Sequence, residues 1–87
     1  MNLVFIIGKI VSEIEFSFVL NSKNISIVHF KIELNNKTIV KVKGYNEVAD
    51  FCYSKLKKED NVFICGELNT KGEINVRDLG TFFPSLF

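Results

Sequence analysis

From Ile27 to Leu34 the sequence alternates without a break. Val28, Phe30, Ile32 and Leu34 fall on one side, and His29, Lys31 and Glu33 on the other. An apolar period of two is the pattern of a strand with one face in a core and one in water. Asn35-Asn36-Lys37 then supplies a short turn, and Thr38 to Tyr45 returns beside it. On that return Val40 and Val42 take the core side, while Lys41, Lys43 and Tyr45 face out. A lone hairpin is at best marginally stable in water, so the rest of the chain has to cover its apolar face.

The neighbouring segments are suited to that task. Leu3-Val4-Phe5-Ile6-Ile7 is a run ended by Gly8 and resumed by Lys9-Ile10-Val11, a strand apolar on both faces. A more polar stretch follows, with its turn at Asn21-Ser22-Lys23-Asn24. Beyond Tyr45 the period changes. Val48, Phe51, Cys52, Lys55 and Leu56 recur at helical spacing, with Asn46 as the expected N-cap, which predicts a helix from about Glu47 to Lys58. Asn61 to Leu68 reads as a fourth strand with Val62, Ile64, Gly66 and Leu68 inward. After a turn at Asn69-Thr70-Lys71-Gly72, Glu73 to Leu79 reads as a fifth, with Ile74 and Val76 inward.

Eighty-seven residues suffice for a single domain over 1–87 and for little else. Three strands, a helix and two strands is the order of a mostly β architecture, the five-stranded OB-fold Greek-key barrel, whose one helix lies between strands three and four. Gly8, Gly44 and Gly66 fall within strands, where a small barrel bends sharply or another element comes close.

Composition narrows the function classes. An apolar fraction of 47% and a mean hydropathy of +0.20 argue against disorder. Eleven basic against ten acidic residues leave a net charge of +1, so any phosphate-binding surface has to arise from local clustering. Cys52, Cys65 and the one histidine, His29, make neither a disulfide framework nor a zinc site, and no metal or other cofactor is expected. The Leu3 to Ile7 run is far too short to span a membrane, and Met1-Asn2 before it lacks the basic residues of a signal peptide, so none is expected. The expectation is a reduced, soluble, cytoplasmic protein.

No nucleophile elbow, phosphate loop or zinc-protease motif occurs. Cys52 reads as packing on the helix, Cys65 has no adjacent histidine to activate it, and Glu13, Glu15, Glu67 and Asp78 read as solvated charges. The chain is not expected to be an enzyme.

Three stretches together resemble the single-stranded DNA-binding protein (SSB) family. Met1-Asn2-Leu3-Val4-Phe5-Ile6-Ile7-Gly8-Lys9-Ile10 is similar to that family's first strand, and Val28-His29-Phe30-Lys31-Ile32-Glu33-Leu34-Asn35 to its second. Val42-Lys43-Gly44, Val48-Ala49, Leu56-Lys57-Lys58 and Val62-Phe63-Ile64-Cys65-Gly66-Glu67-Leu68 resemble its third strand, helix and fourth strand. The resemblance runs from Met1 to about Phe83. It implies sequence-independent binding of single-stranded DNA in replication, recombination or repair.

The departures are specific. The chain has no tryptophan, and Lys43 stands before Gly44 where the family usually has an aromatic. The loop between the last two strands shrinks to Asn69-Thr70-Lys71-Gly72. No counterpart is expected for the acidic-tipped tail by which the family recruits replication and repair proteins, so such partners are left open. That short outline is similar to primosomal replication protein N, a tail-less relative.

A sequence-tolerant binder needs cations for phosphates and aromatic faces for bases. His29, Lys31, Lys41, Lys43 and Tyr45 are the candidates by strand alternation, with Arg77 on strand five and Phe63 on strand four. Lysines on a wet sheet face also provide solubility and blunt an edge, and the family resemblance tips the reading toward binding. Phe16, Phe18, Phe82, Phe83 and Phe87 read as packing residues. On the first strand Val4 and Ile6 are expected to face outward and to need cover, which predicts a homodimer or a homotetramer about two-fold axes. The alternatives are an RNA binder, since OB folds take both nucleic acids, or a barrel whose outer face docks another protein.

Overall fold

The computed structural model describes residues 2–19 and 25–82, the last five of them by backbone course only. The elements are β1 (Val4–Ile10), β2 (Glu15–Val19), β3 (Ile25–Glu33), β4 (Ile39–Tyr45), α1 (Glu47–Lys55), β5 (Asn61–Leu68) and β6 (Ile74–Phe82). β3 and β4 form the hairpin that the alternation predicts, in a register that sets Phe30 opposite Val42 and Lys31 opposite Lys41. β1 pairs antiparallel with β5, β5 with β6, β6 runs parallel to β4, and β1 meets β3 at Lys9↔Glu33 and Ile10↔Ile32. The five strands β1, β5, β6, β4 and β3 thus close into a ring, the expected barrel, with the helix between its third and fourth strands.

The sixth strand, β2, comes from the long first connection and continues β1 along the same edge of β3. Four residues separate Ile10 from Glu15, but only two separate their partners Ile32 and His29, so two residues bulge out between β1 and β2. Ser12 holds that bulge by accepting the Lys31 N–H on its hydroxyl oxygen, 2.8 Å away. The turn expected at Asn21-Ser22-Lys23-Asn24, and Phe83 and Phe87, lie outside the described residues, as does the Phe82 side chain.

The core is Ile10, Val28, Phe30, Ile32, Val42, Ala49, Cys52, Leu56, Val62, Ile64 and Ile74. Burying each Val, Leu or Ile contributes about 1.5–3 kcal/mol. Cys52 is fully buried, as its spacing predicts, and desolvation pushes its thiol up to about 12. Ala49 and Cys52 mark the face that α1 lays on β3 and β4.

The structure corrects several expectations. Val4 and Ile6 do not face outward: both pack against the core, opposite Gly66 and Ile64 of β5. Both faces of β1 are apolar, so the period alone cannot choose between them. The fully buried Ile10 sets the parity, and it turns Leu3, Phe5 and Ile7 out instead. α1 ends at Lys55, short of Lys58, because Leu56 turns to an extended backbone that drops its side chain into the core. Asn46 does precede the helix, and its carbonyl accepts the Asp50 N–H, but its side chain makes no capping bond. Its backbone sits in the left-handed region at φ 55°, with its N–H donated to the Ser26 carbonyl. Phe51 and Leu68 are exposed rather than packed inward.

Candidate nucleic-acid interface

Cross-strand register assembles the outward residues of β2, β3, β4 and β6 into two rows. One row reads Glu15, His29, Lys43, Asn75. The next reads Lys31, Lys41 and then Glu73, which precedes Ile74 as Lys41 precedes its partner Val42. Like charges directly opposite on a sheet repel, so the Lys31–Lys41 pair is a local cost that a bound anion would relieve. Among the described residues, none of Lys31, Lys41 and Lys43 forms an ion pair with a carboxylate. Tyr45 is 40% exposed at the end of β4, opposite Ile27, and the Lys43 ammonium lies 5.9 Å from its ring centroid.

Between the rows lies a cleft of about 320 Å³ lined by Ser12, Glu15, His29, Phe30, Lys31, Lys41, Val42 and Glu73. Glu73 is a member of this face that alternation on β3 and β4 does not reveal. Asn69 fixes it: the Asn69 amide donates to Glu73 Oε1 at 3.2 Å and its carbonyl oxygen accepts the Glu73 and Lys71 N–H groups. The Asn69 hydrogen bond, then the nearby Lys43, Lys71 and His29, hold the Glu73 carboxyl below its ordinary value. The only sequence signal for Glu73 is its place one residue before the inward Ile74.

The other candidates stand apart. Arg77 is the extra residue of a bulge, since Cys65 faces Asp78 and Gly66 faces Val76, and it is paired with Glu67 at 3.3 Å. Both partners are exposed, so that pair is worth little and an incoming phosphate could displace it. Phe63 faces Gly80, five residues farther along β6 than Asn75, which is roughly 16 Å at the rise of a strand. Its ring stacks on Phe5 with centroids 6.0 Å apart, on the outer face of β1 and β5. The structure therefore gathers His29, Lys31, Lys41, Lys43 and Tyr45 and leaves Phe63 elsewhere.

Among the described residues no helix is long and apolar enough to cross a membrane, and no three His, Cys, Asp or Glu side chains gather as a metal site.

No family model matches the sequence. Nor does any curated protein. Solved structures do match in shape. The wild-type single-stranded DNA-binding protein from Thermus aquaticus superimposes with a TM-score of 0.82 at 18% identity, over 95% of this chain and 41% of that one. This chain thus spans less than half the length of the Thermus protein. The SSB domain of a Synechococcus protein gives 0.79 at 17% identity, over 91% and 93% of the two chains. The mitochondrial single-stranded DNA-binding protein from S. cerevisiae gives 0.76 at 16%, over 92% of each. The barrel described above is the OB fold of these proteins.

Proposed function

We propose that this barrel binds single-stranded DNA without regard to overall sequence, along the outer face of β3 and β4, in replication, recombination or repair. The observation that carries this reading is the juxtaposition of Lys31 with Lys41 and of His29 with Lys43 on one open sheet face. Lysines not locked in a close ion pair are ready to follow irregular phosphates, and the exposed Tyr45 beside them offers a face for a base. The solved structures that share the fold are named for single-stranded DNA binding, which supports the same reading.

Filter-binding titrations with oligo-dT, oligo-rU and duplex DNA test it. Oligo-dT is expected to bind best at low salt, and oligo-rU measures how far RNA competes. With Lys31, Lys41 and Lys43 each neutralising a phosphate, the log–log salt slope should be about −2 per barrel. Replacing Lys41 and Lys43 together by Ala should weaken binding and flatten the slope to about −0.7. The fold should survive, because both side chains point away from the core. No binding of any single strand at low salt would sink the proposal, and unchanged affinity in the double variant would place the site on another face.

Tyr45→Ala probes stacking separately. Affinity should fall by about 1–3 kcal/mol while the salt slope stays the same, since no charge is removed. A changed slope would mean that the ring acts by holding Lys43, its 5.9 Å neighbour, and not by stacking on a base.

We further propose that barrels self-associate through β1, as a dimer or a tetramer built from dimers. Leu3, Phe5 and Ile7 stand 54%, 60% and 53% exposed, and Phe63 extends that apolar surface onto β5. β1 meets β3 only at Lys9 and Ile10, so from Val4 to Gly8 one edge of the strand has no partner strand among the described residues. An open, apolar edge is a template for pairing with a second copy.

A further inference from the structure

We propose that the cleft over β3, β4 and the start of β6 is a base-reading subsite that favours guanine within an otherwise sequence-tolerant strand. The inference rests on the nucleic-acid reading above and adds to it a preference that cationic faces alone do not supply.

Its basis is the arrangement of charge around the cleft. Phosphate binding calls for cations, yet each row of the face carries a carboxylate at one end. Glu15 stands at the β2 end of the first row, and Glu73 at the β6 end of the second. Both line the cleft together with Lys31 and Lys41. Carboxylates here repel phosphates, so their contribution to a bound strand has to come from groups that donate hydrogen bonds. In DNA those groups are on the bases.

Among the bases guanine matches this set best. Its N1–H and N2–H₂ lie side by side and both donate, which suits the two oxygens of one carboxylate. Its O6 and N7 accept, which suits a lysine ammonium. Thymine and uracil offer a single N3–H flanked by two carbonyl oxygens that a carboxylate would repel. Cytosine and adenine each place one amino donor beside a ring nitrogen that accepts.

Glu73 is the carboxylate built for the role. Asn69 holds it at Oε1 through one hydrogen bond, and the same Asn69 clamps the turn that carries it. Its setting among Lys43, Lys71 and His29 keeps it ionised, hence an acceptor. The cleft of about 320 Å³ is at the small end of ligand sites, fit for one base and its sugar. Phe30 and Val42 line it too, but their side chains are turned into the core, so the base would be held by the charged and polar groups around the cleft.

The test compares oligo-dT with the same oligonucleotide carrying one central guanine, or one central inosine, at fixed salt. Inosine lacks only the 2-amino group. The guanine strand is expected to bind about 5- to 10-fold more tightly than oligo-dT, with inosine in between. Glu73→Gln keeps the size and an acceptor for Asn69, so it should fold. It should abolish the guanine advantage while raising oligo-dT affinity, because an anion leaves the phosphate path. Equal binding of all three strands by the unaltered protein would overturn this inference and leave the nucleic-acid reading standing. An advantage undiminished in Glu73→Gln would overturn the assignment to this cleft. Failure of every strand to bind would remove both readings together.

Discussion

A Gly66→Ala variant is expected to lose on the order of 3 kcal/mol of folding stability or more. A β-carbon on Gly66 would be driven onto the Asn75 carbonyl oxygen, 2.9 Å from the carbonyl carbon and 3.0 Å from Ile74 Cγ2. The obstacle is chiefly backbone, and that backbone cannot retreat. Glu67↔Asn75 and Leu68↔Ile74 lock β6 to β5 just beyond the bulge, and Ile74 is itself in the core. Gly44→Ala makes the instructive comparison. There the added carbon meets side-chain atoms, Val48 Cγ1 at 2.7 Å and Val28 Cγ1 at 3.2 Å, which can shift in part. Urea denaturation followed by circular dichroism should place Gly66→Ala well below Gly44→Ala. A Gly66→Ala midpoint level with the parent protein would show that the bulge yields more easily than its ladder implies.

The second large effect concerns assembly. Phe5→Glu should convert the associated protein to monomers at tens of micromolar in sedimentation, with the circular dichroism spectrum unchanged. Phe5 is 60% exposed and lies outside the core, so the barrel loses its contact with Phe63 but no core residue. In an assembly about a two-fold axis the change occurs twice. Two lost phenylalanine burials at about 2 kcal/mol each weaken a dimer several hundredfold, before the repulsion of two carboxylates is added. A parent protein that sediments as a monomer at that concentration would sink the self-association proposal without touching the binding proposal.

What the sequence reveals, and where it falls silent, follows from the range of each interaction. The β3–β4 hairpin is local and one-sided, so alternation places His29, Lys31, Lys41, Lys43 and Tyr45 on one face, where the structure has them. β1 is apolar at both parities, and only its long-range pairings, with β5 about sixty residues on and with β3 at the buried Ile10, turn Val4 and Ile6 inward. Glu73 joins the cationic face through the parallel β4–β6 pairing, a contact that no local period encodes. Arg77 depends on a bulge opposite Gly66, which shifts the parity of β6 partway along. Helical spacing runs through Leu56 and predicts a helix to about Lys58, but the pull of the core on Leu56 ends it at Lys55.

The ring closure has a consequence for how the chain is made. β1 is synthesised first, but its main partner is β5, with Val4 opposite Gly66 and Lys9 opposite Asn61. At about 5–20 residues per second, a ribosome needs roughly 3–12 seconds to add the intervening stretch. Throughout that interval the most apolar segment of the protein is a strand without its template. The hairpin of β3 and β4 can form meanwhile, yet it offers β1 only Glu33 and Ile32 as register partners. The nascent chain therefore passes through a stage at which its stickiest strand is exposed, and holding that strand away from its copies on neighbouring ribosomes becomes a task for whatever meets the emerging polypeptide.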